Sequence, residues 1–249
     1  MSSQILFLGD TTLDTAASYL AGCLSKNGWS FDYVPSHEPL SIELLDRNHQ
    51  LCIISDYPAA QCSPEVQDRL VAHVRQGANL LMIGGWESFH GLGGDWDQTV
   101  IADLLPVEIS TDDDRQNCDS PVFLRQVSSH EITHDLPWDE RAPLIGGFNR
   151  VRAKESATTL LTAERYSAIH DGESYTLSRT SSDPLLVVDE LRASRVTALM
   201  TDLAPHWVGP LVDWGDERVS CSAPGAEDVE VGNLYFQFVS QLIRWAGQL

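Results

Sequence analysis

Four short apolar runs constrain this chain more than any other feature. Gln4–Gly9, Leu51–Ser55, Leu80–Ile83 and Val196–Asp202 carry almost no internal polar positions, and each stops at a glycine or a small polar residue. A strand with one wet face alternates apolar and polar side chains, whereas a strand covered on both faces reads as one continuous run. Between the first three runs lie helix-forming stretches. Leu13–Asn27 sets Leu13, Ala17, Leu20 and Leu24 at helical spacing and stops at Gly28, with Asp10-Thr11-Thr12 in front offering side-chain oxygens for a cap. Phe31–Val34 reads as a second strand and Ser41–Arg47 as a brief helix. Ser63-Pro64-Glu65 starts a stronger helix, with a capping serine, a first-turn proline and an early acid. It runs to Gln76 with Val66, Leu70 and Val74 on one face. Strand and helix in alternation predict a parallel, doubly wound sheet with right-handed crossovers.

The texture changes after the glycine-rich stretch Gly84–Gly94. Val100–Leu105 reads as a short helix stopped by Pro106. Val107–Ile109, Val122–Val127, Arg150–Lys154, Thr158–Leu161 and Leu185–Val188 then read as strands with no strong helix between them, so residues 107–191 are expected to form an antiparallel elaboration. Leu234, Phe238, Leu242 and Trp245 mark a covering helix over Leu234–Ala246. No linker, repeat or low-complexity tract divides the 249 residues, which predicts a single domain.

Charge narrows the partners. Acidic residues outnumber basic ones 36 to 16, for a net charge of −20, and such a surface repels phosphate backbones and anionic lipid. Neither nucleic acid nor membrane is an expected partner. No apolar run approaches the roughly 20 residues that span a bilayer, and Met1-Ser2-Ser3-Gln4 lacks the basic start of a signal peptide. A cytoplasmic protein is expected. The one acidic run, Asp112–Asp114, reads as a solvated face. Five scattered cysteines form no C-x-x-C pair. Cys23 and Cys52 fall on a helix-like and a strand-like stretch, and Cys62, Cys118 and Cys221 in more polar settings. Reduced thiols are expected rather than disulfides or a zinc site.

A parallel sheet gathers its carboxyl-end loops along one edge, where ligands bind. Three strand ends place polar groups there: Asp10-Thr11, Gly84–His90 and Asp202–Trp207. Gly84 and Gly85 offer backbone N–H groups to an anion or carbonyl oxygen. Trp86, Phe89 and Trp207 supply apolar walls, and Glu87 and His90 flank the same turn. His130 and His134 bracket Glu131 at metal-pair spacing, but Pro137 and the β-branched Ile132-Thr133 oppose the helix such a pair needs. Glu87, His90 and His206 match no ligand spacing. Neither a metal nor a cofactor is expected.

Several segments together resemble a known family. They are G-G-W-E-S-F-H-G over Gly84–Gly91, the L-L-P-V end of Val100–Val107, His130-Glu131-Ile132-Thr133, Gly147-Phe148-Asn149 and D-L-A-P-H-W over Asp202–Trp207. The family is an uncharacterised one of glutamine amidotransferase-like proteins, in the class I glutamine amidotransferase-like superfamily and similar to trehalose-utilisation proteins. The resemblance covers nearly the whole chain and implies a flavodoxin-like three-layer α/β/α fold with a mainly parallel central sheet. Amidase chemistry in that superfamily needs a cysteine thiolate on a strained strand-to-helix turn, activated by a histidine that a carboxylate orients. Here the turn after the fourth strand reads Ile83-Gly84-Gly85-Trp86-Glu87, without cysteine. His206 corresponds to the histidine, yet Val208 stands where the acid is usual, leaving Asp202 or Asp213 to orient it. Three expectations result. One is a pocket for a small polar molecule or a partner protein, without cysteine-dependent glutaminase activity. The second is a hydrolase with His206 as base, Ser88 or water as nucleophile, and the Gly84-Gly85 amides around an oxyanion. The third is a structural subunit, a homo-oligomer assembled through residues 107–191.

Overall fold

In a computed structural model, residues 3–249 are described. The strands are β1 (Ile5–Gly9), β2 (Phe31–Val34), β3 (Leu51–Ser55), β4 (Asn79–Ile83), β5 (Val107–Glu108), β6 (Arg115–Gln126), β7 (Leu144–Asn149), β8 (Arg152–Ala153), β9 (Thr158–His170), β10 (Tyr175–Leu191), β11 (Ser194–Leu199), β12 (Arg218–Cys221) and β13 (Val229–Gly232). The helices are α1 (Ala17–Lys26), α2 (Ile42–Leu45), α3 (Pro64–Arg75), α4 (Pro205–Val208) and α5 (Asn233–Gly247). Nine strands form one sheet in the order β2-β1-β3-β4-β11-β10-β9-β6-β7. From β2 to β11 neighbours run parallel; from β11 to β7 they run antiparallel. The elaboration therefore extends the same sheet. Every residue of β1, β3 and β4 is buried, which is why those runs carry no polar alternation. Each buried Leu or Ile side chain contributes roughly 1.5–3 kcal/mol of burial free energy. Helix α1 packs with α5 and α2 with α3, forming the outer layers of the α/β/α sandwich. Residues of both halves, such as Ile53 and Leu161, share one continuous core. All five cysteines are free. No helix among the described residues is long and apolar enough to cross a membrane.

Ser63 caps α3 as its sequence predicts, accepting the Val66 N–H at 3.3 Å with Pro64 in the first turn. Other local readings change. Asp10-Thr11-Thr12 do not cap α1, whose first residue is Ala17 and which has no side-chain cap. Asp10 and Thr11 instead take left-handed φ values of 57° and 62°, turning the chain back over the sheet edge. Val100–Leu105 is a series of turns closed by Ala102 N–H to Thr99 O and Leu104 N–H to Ile101 O, not a helix. Six residues before a proline give too few i→i−4 bonds to offset helix nucleation. Strand β7 has no sequence signal because Gly146 and Gly147 interrupt it. Strands β9 and β10 run well beyond their apolar segments into an exposed polar hairpin, and the β12–β13 hairpin was likewise not legible.

Candidate functional site

Strand β1 pairs with β2 on one side and β3 on the other, so the winding reverses between β1 and β3, the point where open α/β sheets bind ligands. The strand ends there are level. Gly9 stands opposite Ser55, Ser55 opposite Ile83, and Ile83 opposite Leu199. The residues that follow are thus presented side by side: Asp10, Asp56, the Gly84 loop and, just beyond Met200, Asp202. A Cβ on Gly9 would lie 2.0 Å from Ser55 O, so only glycine permits this crossing, at a φ of 96°. Asp56 also takes a left-handed φ of 46°, which a short polar side chain tolerates.

The loop after β4 is held by two buried polar side chains. Asn149, fully buried, accepts the Gly85 N–H at 3.0 Å and donates Nδ2–H to Gly85 O at 3.1 Å and to Asp114 Oδ1 at 2.8 Å. Asp114 accepts the N–H groups of His90 and Gly91 at 3.0 and 3.1 Å. Asp114 is 3% exposed, so it is not part of a solvated run; it fastens the loop. The Gly84 N–H donates to Leu199 O at 2.7 Å. Both glycine amides expected to receive an anion are therefore already bonded within the protein.

The sequence-predicted residues separate into two groups. Trp86, Glu87, His206 and Trp207 line a cleft of about 600 Å³, joined by Asp56, Leu92, Asn117 and Asp202. The others lie behind it. Ser88 is fully buried and its Oγ accepts the Asp56 N–H at 2.9 Å. No hydrogen bond joins Ser88 to His206 among the described residues. Phe89, also fully buried, packs into the core rather than forming a wall. His90 does not meet Glu87; its Nδ1 lies 2.8 Å from Asp97 Oδ1. Thr11 is used locally, its N–H donating to Ser36 Oγ at 2.9 Å. Asp10 sits beneath the cleft, 2% exposed. The His130–His134 pair lies elsewhere, with Trp245 and Arg244. Among the described residues, His90, Asp95 and Asp97 are the one trio with ligand atoms within 4.8 Å of one another.

The cleft walls are apolar on two sides and acidic at the base. The Trp207 indole lies against Gly147, where a Cβ would be 2.5 Å from its ring, and its Nε1–H donates to Asn117 Oδ1 at 2.8 Å. Trp86 is half-exposed, and the Arg115 guanidinium lies 4.6 Å from the centre of its ring. His206, on the outer rim, places Nδ1 3.8 Å from Asp202 Oδ2. Asp56 accepts the Glu87 N–H. Burial nevertheless pushes its carboxyl above the usual range, against the pull of that bond and of His206. Burial, then the Asp56 charge, raises Glu87. Burial pushes Asp202 up to about 7, helped by Asp56 and opposed by its bond from the Ala204 N–H at 2.7 Å. Burial raises Asp10 most strongly, reinforced by Asp202 and Asp56. Four carboxyls thus share a small region, and among the described residues none of them forms an ion pair with a lysine or arginine. Such a base favours a nearby positive charge or a bound proton over bare carboxylates. No cysteine lines the cleft. Cys118, next to Asn117, turns its thiol towards Arg165 Nη2 at 3.3 Å.

Sequence reasoning left out Asp56, Leu92, Asn117, Asn149 and Asp114 as site residues. Asp56 had a usable signal, because Ser55-Asp56 ends an apolar run as Gly9-Asp10 does. Asn117 had none; it reaches the cleft only because β6 folds back beside β7.

The doubly wound sheet, with a cleft over the carboxyl ends of β3, β4 and β11, makes this an α/β protein of flavodoxin-like architecture. The chain belongs to the family described as "Putative glutamine amidotransferase", whose sequence signature matches residues 7–219. Among curated proteins, none matches the sequence. Among solved structures it is similar to the cytoplasmic protein STM3548 from Salmonella typhimurium, at 23% identity and a TM-score of 0.73 over 98% of each chain. It is also similar to the cytoplasmic protein STM1381 from Salmonella typhimurium LT2, at 25% identity and a TM-score of 0.66. That match covers 83% of this chain and 91% of the other. The mmIFT52 N-terminal domain shares the fold at 11% identity and a TM-score of 0.57, over 97% and 96% of the two chains.

Proposed function

We propose that this protein is a glutamine amidotransferase-like protein that recognises a small polar molecule in its strand-end cleft and does not hydrolyse glutamine through a cysteine. The observation that carries the reading is the turn after β4. A Cβ on Gly85 would lie 2.6 Å from Asp56 Oδ1, and one on Gly84 would lie 2.4 Å from Met200 O. The turn therefore has neither a thiol nor room for one. No residue from Gly84 to Ser88 has the left-handed φ of a strained nucleophile turn, and no helix follows directly. The Gly84 and Gly85 amides are bonded to Leu199 and Asn149, which removes the donors that would stabilise an oxyanion. The hydrolase alternative finds no support in the burial of Ser88. The cytoplasmic names of the two Salmonella proteins favour the same compartment here.

The test is ammonia and glutamate release from glutamine by the purified full chain, beside binding followed by quenching of tryptophan fluorescence. The expected result is glutamine turnover at background and saturable quenching by a small polar compound. Glutamate formation abolished by thiol alkylation would overturn the reading.

A further inference from the structure

We propose that the ligand of this cleft is a small organic cation, its ammonium or guanidinium group seated between Asp56 and Asp202 and its carbon skeleton against Trp86 and Trp207. The inference rests on the reading that the cleft recognises rather than hydrolyses, and it names the ligand class.

Charge is the first argument. Asp56, Glu87 and Asp202 line the cleft, and no lysine or arginine is among its lining residues. The nearby Arg115 is committed to Asp113, with Nη2 at 2.8 Å from Oδ2. The one histidine of the lining, His206, sits on the rim with its side chain 70% exposed. Burying acids without a compensating charge is costly in the folded protein, and a cation at this point removes that cost. An anion, or the carboxylate of an amino acid, meets three acidic side chains and no lysine or arginine in the cleft lining.

The second argument is a buried atom. Asp10 Oδ2 is shielded from solvent and has no hydrogen-bond partner. It is near enough to Asp202 and Asp56, two carboxyls of the cleft lining, for their charges to raise it. A positive group held by those two carboxyls also offsets the repulsion they exert on Asp10.

The walls decide between kinds of cation. Aromatic faces attract organic cations, most strongly where water is excluded. The Trp207 N–H is already spent on Asn117 and its indole is only 4% exposed, so the open aromatic wall is Trp86, over whose ring the Arg115 guanidinium shows that a cation can lie, at 4.6 Å. A bare metal ion needs converging ligand atoms, and among the described residues these converge only at His90, Asp95 and Asp97, none of which lines this cleft. A neutral polyol would leave the ionised forms of Asp56, Glu87 and Asp202 without a compensating charge.

The experiment is isothermal titration calorimetry on the full chain at pH 8, with n-butylammonium, methylguanidinium, tetramethylammonium, glucose, glutamate and magnesium or zinc chloride as probes. Asp56→Asn and Asp202→Asn are titrated alongside; asparagine keeps the acceptor oxygens that hold the Glu87 and Ala204 amides. Circular dichroism checks that both variants remain folded. The ammonium or guanidinium probes are expected to bind saturably, and each variant to weaken them by about tenfold or more. Glucose binding that both variants leave unchanged would overturn the cation while leaving the recognition reading intact. Metal binding abolished by either variant, or no cation binding at millimolar concentration, would also overturn it. Glutamine turnover, measured separately, would instead sink the underlying reading.

Discussion

Replacing Asp202 by asparagine should stabilise this protein at high pH, and by an amount that the structure sets. Burial raises the Asp202 carboxyl from 3.8 to about 7. A tenfold change in proton affinity corresponds to about 1.36 kcal/mol, so the charged side chain costs the folded state on the order of 4 kcal/mol. The side chain is 5% exposed, so solvent does little to screen that cost. The sign follows from proton binding. Between pH 4 and 7 the folded chain keeps the Asp202 proton and the unfolded chain releases it. Stability therefore falls as pH rises through this window, and the full cost is present above it. The substituted asparagine would retain an oxygen for the Ala204 N–H and carry no charge. Urea unfolding of both proteins from pH 4 to 8 measures the effect, and the difference between them cancels the titration of acids remote from Asp202. The variant should match the wild type near pH 4 and exceed it by up to about 4 kcal/mol at pH 8. A difference that does not change with pH, or a variant less stable at pH 8, would refute the account of the buried carboxyl cluster.

Two further substitutions test how the site is held. Asn149→Ala removes bonds to Gly85 and Asp114 inside the core. It should cost about 2–3 kcal/mol and speed amide exchange over residues 85–91; an unchanged melting temperature with unchanged exchange would contradict the clamp. Gly85→Ala places a methyl 2.6 Å from Asp56 Oδ1, so it should displace that carboxyl, destabilise by about 1–3 kcal/mol and weaken ligand quenching. A crystal structure of the variant with Asp56 unmoved would show that the turn has more room than this geometry allows.

The parallel half of the sheet was legible because its strands are buried on both faces. Leu51–Ile54 and Leu80–Ile83 admit no polar position, and that exclusion is itself a pattern. Helix α3 was legible because Ser63 and Pro64 satisfy its first turn locally. Strand β7 was not, since two glycines erase the pattern of a strand that depends on β6 for its hydrogen bonds. The expected amide pair at Gly84-Gly85 failed for a similar reason. Whether an N–H is free depends on Leu199 and Asn149, which are distant in sequence.

By itself, the sequence determined the layers, the direction of the central strands, the acidic surface and the missing cysteine at the turn, because each depends on local burial or on residue identity. Only the tertiary structure decided that Asp10, Asp56 and Asp202 come together. Their proximity comes from strand register: Gly9, Ser55, Ile83 and Leu199 end level across four strands. Alignment between distant segments leaves no trace in either segment alone.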